Sequence, residues 1–169
     1  HNDARRQRQM CIRDSGKPLI IWTAERIKSE AADFPLFFAV DSSELSECFI
    51  SYGFDSILTR VDHTSGTDRI AEANETINAE WVINVQGDEP LIQASQIQTL
   101  ADSLAEGRLM ATLATPFTES EAFYNPNAVK VVRSLNGNAL YFSRSPIPYA
   151  RSFNGEVSMG WLQKNHCYK

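Results

Sequence analysis

Residues 36–59 read LFFAVDSSELSECFISYGFDSILT, and this stretch decides the fold. LFFAV at 36–40 is short and wholly apolar, the composition of a strand buried on both faces. Asp41 and Glu44 give a cap-like start to a helix over about 43–52, and Gly53 ends it. SILT at 56–59 suits a second short strand. Strand, helix and strand in that order imply a parallel pair joined by a helix.

The same alternation continues in both directions. PLIIWTAERIKSEA at 18–31 sets Ile20, Ala24, Ile27 and Ala31 on one helical face, with Pro18 tolerated in the first turn. Downstream, a helix over about 67–78 leads to WVINV at 81–85, a second fully apolar run read as a buried strand. A helix over 94–106 closes at Gly107. LMATLATPF at 109–117 and AVKVVR at 128–133 read as strands, and Asn136-Gly137 turns the chain into ALYFS at 139–143. The predicted fold class is α/β: a doubly wound, mostly parallel sheet with a late hairpin.

Composition excludes several classes. The 169 residues are 43% hydrophobic and 22% charged, as in one globular domain, and unlike a disordered, collagenous or coiled-coil chain. No apolar run approaches the roughly 18–20 residues of a bilayer span. A net charge of −5 argues against a nucleic-acid partner. Cys11, Cys48 and Cys167 are scattered, without CxxC spacing, as reduced thiols of a cytoplasmic protein would be. HNDARRQRQMCIRDS at 1–15 is expected to lie outside the domain, as a solvated basic arm or as foreign sequence like translated adapter.

In doubly wound sheets, ligands bind beyond the carboxyl ends of the strands, and this rule selects two loops. The first is RVDHTSGTDR at 60–69. Ser65 and Asp68 have capping-box spacing, so a helix starts just after Ser65. Gly66 allows close backbone approach, unpaired N–H groups there favour a base or phosphate, and Arg69 lies one turn inside. A plain capped helix with a solvated arginine has the same pattern.

The second loop is QGDEP at 86–90, directly after WVINV. Asp88 at a sheet rim suits Mg²⁺, a hard cation held by one or two carboxylates plus substrate phosphates. Gln86 offers both a donor and an acceptor to a polar ligand. An acidic surface turn is the plainer alternative. His63 and His166 have no partner at zinc-ligand spacing.

Four motifs carry a family resemblance: DHTSGTDR at 62–69, NVQGDEP at 84–90, NPNAVKVV at 125–132 and YFSRSPIP at 141–148. Together they resemble the 3-deoxy-manno-octulosonate cytidylyltransferases, the CMP-Kdo synthetases of lipopolysaccharide synthesis. The resemblance implies a nucleotidyltransferase sheet, CTP and Kdo as substrates, Mg²⁺ as cofactor and a homodimer. It makes Asp88 the catalytic metal-binding residue. Ser65, Gly66 and Arg69 become nucleotide-facing, Gln86 shared by nucleotide and sugar, and Arg144 the partner of the Kdo carboxylate. By itself, an arginine at a strand end is more often a plain surface charge. A synthetase for a related 2-keto sugar acid, and an inactive or dimerising module, are the alternatives.

The resemblance also implies departures. GKPLIIWTAERI at 16–27 matches a segment leading into a helix, so Lys17 is not expected to be the family's phosphate lysine. The family's first strand and triphosphate loop, and a sugar-binding segment after HCYK, have no counterpart here. Residues 16–169 are therefore expected to be a partial cytidylyltransferase domain, inactive as it stands. By analogy, the absent strand belongs between LFFAV and WVINV.

Overall fold

Arg13–Asp14 (β1) and Lys17–Pro18 (β2) form a short antiparallel pair, with Arg13 opposite Pro18 and Asp14 opposite Lys17. This computed structural model describes residues 13–14, 16–151 and 157–169. Apart from β1, the reading of residues 1–15 as a tail lies outside the described residues.

The chain divides into two units, the first ending at Ala111 and the second spanning Thr112–Lys169. In the first, helix α1 (Leu19–Glu30) buries Ile20, Ile21, Thr23, Ala24 and Ile27. Strand β3 (Phe38–Val40), helix α2 (Ser43–Ser51) and strand β4 (Ser56–Leu58) follow as the opening stretch predicts. β3 and β4 are parallel, with Phe38 opposite Ser56 and Val40 opposite Leu58. Ser42, rather than Asp41, caps α2: its Oγ accepts from the Leu45 N–H at 3.3 Å. Helices α3 (Gly66–Ile77) and α4 (Ala94–Ala105) match the sequence reading to within a residue at each end.

Apolar contact holds this unit together. Val40, Leu45, Phe49 and Phe54 pack on Ile20, Ile21 and Ala24 of α1. The Phe38 and Phe49 rings stack with centroids 4.0 Å apart. A second cluster joins Ile27 and Ala31 to Ile92 and Ile97 of α4.

The segment 81–85 departs from its reading as a buried strand. It joins no ladder among the described residues, and Trp81 and Val82 are 41% and 42% exposed. Apolar composition supplies the side chains of a strand but not the neighbouring backbone that a ladder requires. β3, likewise, pairs with β4 alone among the described strands. A cavity of about 690 Å³ is lined by both β3 and residues 81–85, where the sequence reading expects a further strand.

The second unit is built on the predicted hairpin. Strands β5 (Lys130–Arg133) and β6 (Ala139–Ser143) are antiparallel, with a register shift between Val132 and Arg133. Gly137, at φ +82°, closes the turn. Helices α5 (Glu121–Tyr124) and α6 (Met159–Lys164) were not anticipated, because four and six residues are too short for a helical period to show. Phe117, Phe123, Val157, Leu162 and Cys167 share a core with them. The run 109–117 is not one strand. Leu109 and Met110 are exposed, and pairing begins only where Thr115 exchanges 2.9 Å hydrogen bonds with Lys169. The run spans the boundary between the two units, so no single core can bury it.

Candidate functional site

Ser65 caps α3 as its spacing predicts. Its Oγ accepts from the Asp68 N–H at 3.2 Å and donates to Asp68 Oδ2 at 2.7 Å. Thr64 Oγ1 donates to the same carboxylate oxygen at 3.1 Å. These two hydroxyls hold the Asp68 carboxyl below the usual carboxylate range. Gly66 is the first residue of the helix, where N–H groups lack intrahelical acceptors and can meet an anion or a base.

Arg69 is committed to the protein itself. Its Nη2 donates to Asp41 Oδ2 at 2.9 Å, and its Nη1 donates to Thr59 Oγ1 at 2.7 Å and to the Arg60 carbonyl at 3.1 Å. The guanidinium thereby ties the ends of β3 and β4 to α3. His63 meets Glu72 of the same helix, and Glu72 also accepts from the Arg60 backbone N–H at 3.1 Å. The loop from Arg60 to Ser65 is fixed from several sides.

The His63 contact is the largest influence on Glu72, whose carboxyl lies below its usual 4.5. A carboxylate with a depressed pKa stabilises the fold above its unfolded value and loses that contribution as pH falls through the folded one. Urea unfolding of Glu72→Gln is expected to show lower stability than wild type at neutral pH. The gap should narrow as pH drops below about 4.5. An equal gap at both pH values would show that ionised Glu72 is not involved.

The second loop reaches the same place. Ser65, Gly66, Arg69, Gln86 and Asp88 all line the cavity, together with His63 and Asp41. A Cβ built on Gly66 would lie 3.9 Å from both Nε2 and Oε1 of Gln86, so the two loops adjoin. Gln86 Nε2 donates to Asn84 Oδ1 at 2.9 Å, which orients its amide. Asp88 is exposed, and no hydrogen bond or ion pair from the described residues engages its carboxylate. Deeper in, the cavity is apolar, with Ile20, Ile27, Val40, Val85 and Ile97 among its walls.

Sequence reasoning missed the anchors of this loop. Thr23 Oγ1 donates to the Gly87 carbonyl at 2.9 Å, and Arg26 Nε donates to the Ile92 carbonyl at 3.0 Å. Glu30 Oε2 accepts from the Ala94 N–H at 2.8 Å, at the start of α4. The available signal was a hydroxyl on the apolar face of α1. Lys17 Nζ donates to Glu25 at 2.6 and 2.8 Å.

Arg144 belongs to the second unit, just after β6. Its Nη1 donates to the Pro126 carbonyl at 2.9 Å, and its remaining nitrogens make no hydrogen bond to described residues. Lys130, fully buried, donates to the carbonyls of Asn125, Ala128 and Arg144, each at 2.8 Å. Desolvation, followed by the nearby Arg144 charge, lowers its pKa. These bonds fasten the 125–128 loop to the end of β6.

Among the described residues no helix is long and apolar enough to cross a membrane, and no group of three or more His, Cys, Asp or Glu side chains could hold a metal.

Comparison with known proteins identifies the family. A cytidylyltransferase family model matches residues 13–168. The chain is 40% identical over 151 residues to the 3-deoxy-manno-octulosonate cytidylyltransferase of Hahella chejuensis, covering 86% of this chain and 59% of that protein. It is 43% identical over 152 residues to the protein of the same name from Chloroherpeton thalassium, covering 88% and 62%. The chain thus spans about three fifths of these relatives' length. A solved structure of CMP:2-keto-3-deoxy-manno-octonic acid synthetase complexed with CTP is similar at a TM-score of 0.77 and 34% identity, covering 94% of this chain and 70% of that one. With the parallel β3–α2–β4 unit and the capped loop at its end, these matches establish that the chain belongs to the cytidylyltransferase family.

Proposed function

We propose that the whole protein transfers CMP from CTP to the anomeric hydroxyl of Kdo, releasing pyrophosphate. The observation that carries this reading is the meeting of Ser65, Gly66, Gln86 and Asp88 round one cavity, in a chain 34% identical to a synthetase solved with CTP. In the reaction, the hydroxyl oxygen bonds to the α-phosphorus, the bond from that phosphorus to the β-phosphate oxygen breaks, and the hydroxyl proton passes to solvent. Positioning and charge stabilisation supply most of the rate in such transfers.

The residues take distinct parts. N–H groups at the start of α3, beside Gly66, meet acceptor atoms of the nucleotide. Gln86 contributes both a donor and an acceptor where nucleotide and sugar adjoin. Arg69 acts on the nucleotide loop through Asp41, Thr59 and Arg60, which it holds in place. Asp88 fits Mg²⁺, because its carboxylate is exposed and unengaged, and this cation accepts a single carboxylate beside phosphates and water. When bound, Mg²⁺ offsets the repulsion between an anionic sugar and an anionic nucleotide.

Arg144 pairs with the sugar carboxylate through the nitrogens that Pro126 does not engage. Leu140, Tyr141 and Phe142 of β6 are largely exposed, and this apolar strand supports a homodimer in the whole protein. Three scattered cysteines without CxxC spacing fit a reducing, cytoplasmic setting.

The test is pyrophosphate release from CTP with Mg²⁺ and Kdo, run beside other 2-keto sugar acids. Preference for another acid would reassign the sugar, and no release with any of them would remove the reading. In that assay Arg144→Ala is expected to raise the Kdo KM by roughly 10–150-fold, the worth of one charged hydrogen-bonded pair, and the CTP KM far less. Equal rises for both substrates would take Arg144 out of the sugar site.

A further inference from the structure

Thr23 is the polar exception on the buried face of α1. It is 1% exposed and sits among Ile20, Ile21, Ala24 and Ile27, where an alkyl group would pack as well. Its hydroxyl donates to the Gly87 carbonyl at 2.9 Å, across 64 residues of sequence. Its distance to the Leu19 carbonyl, the usual acceptor for a helical threonine, is 3.5 Å. The tertiary bond is therefore the better made of the two.

Gly87 lies between Gln86 and Asp88, and all three line the cavity. Its backbone thus sets where both side chains begin. Two further side chains of α1 extend the attachment at helical spacing, Arg26 to the Ile92 carbonyl and Glu30 to the Ala94 N–H. These three, at positions i, i+3 and i+7, lie along one stripe of the helix. Arg26 also pairs with Glu30 at 2.9 Å, which joins two of the anchors to each other. The stripe grips the loop on both sides of Asp88.

We infer that Thr23 is a positioning residue: its hydrogen bond to Gly87 holds the 86–88 backbone where Asp88 can meet a divalent cation beside a nucleotide phosphate. This rests on the reading of Asp88 as the cation ligand. Thr23 touches neither substrate nor metal in this scheme and acts only through Gly87.

Thr23→Val preserves the shape and removes the donor, whereas Thr23→Ser preserves the donor. Amide hydrogen exchange followed by mass spectrometry on the 169-residue chain gives the first readout. Thr23→Val should speed exchange in peptides covering 86–92 by roughly three- to ten-fold, the size of one neutral hydrogen bond, while Thr23→Ser stays near wild type. Unchanged exchange at 86–92 in Thr23→Val, or equal acceleration throughout the chain, would overturn the role.

The second readout is the Mg²⁺ concentration needed for half-maximal CTP binding by the whole protein. Thr23→Val should raise it by a similar factor, Thr23→Ser should restore it, and CTP binding without Mg²⁺ should be unmoved in both. Asp88→Asn separates the two ideas. If it leaves the Mg²⁺ requirement intact, the cation reading falls and takes this inference with it. If Asp88→Asn abolishes the requirement but Thr23→Val leaves it at the wild-type value, only the positioning role falls.

Discussion

Asp88→Asn is expected to lower Mg²⁺-dependent pyrophosphate release by about 10²–10³-fold, the usual cost of losing one group that stabilises charge in a transition state. The same substitution should leave the melting temperature almost unmoved. Asp88 is exposed, and no described residue bonds to its carboxylate, so little folding energy resides there. Surface changes of that kind usually lie within about 0.5 kcal/mol of neutral. A large kinetic loss with an unchanged melt would separate a reacting group from a structural one. Turnover near wild type would exclude Asp88 from the site.

Arg69→Ala is expected to do the opposite and strike the fold first. The guanidinium is 17% exposed and its partner Asp41 10%, so the pair is largely shielded from water. Removing one member of such a pair costs about 3 kcal/mol, the lower end for buried pairs. The bonds to Thr59 and to the Arg60 carbonyl are lost as well. Arg69→Lys should recover only part of the loss, since an ammonium cannot span three acceptors with the geometry of a planar fork. Urea unfolding followed by circular dichroism measures this. A change below about 0.5 kcal/mol in Arg69→Ala would mean that the pair contributes nothing measurable.

These two residues mark how far the sequence could be read. The Ser65–Asp68 cap was legible because both partners lie within one helical turn and the spacing is diagnostic. The β3–α2–β4 unit was legible because its apolar runs and its Gly53 stop are local signals. The Arg69–Asp41 pair was not, because Asp41 lies 28 residues upstream and only the fold brings them together. Asp41 itself was read as a helix cap, a local role that Ser42 fills instead. WVINV shows the converse error. Five residues of suitable composition state that a strand would be welcome, but pairing depends on a neighbour elsewhere in the chain. Lys130 was read as an ordinary strand residue of AVKVVR, and only the fold adds the Arg144 carbonyl, 14 residues away, to the two nearby ones that meet its amine.

The reach of the bonds made by α1 has a consequence for how the molecule assembles. Loop-closure entropy rises with the length of chain enclosed, so short-range contacts form at less cost than long-range ones. The β3–β4 ladder and the β5–β6 hairpin each join neighbouring stretches of chain. The attachments of Thr23, Arg26 and Glu30 instead enclose loops of 64, 66 and 64 residues. On that ordering the ladders form early, and the backbone round Asp88 is fixed only once α1 has docked. A chain with both ladders formed but α1 undocked would then still lack the backbone geometry of the proposed cation site.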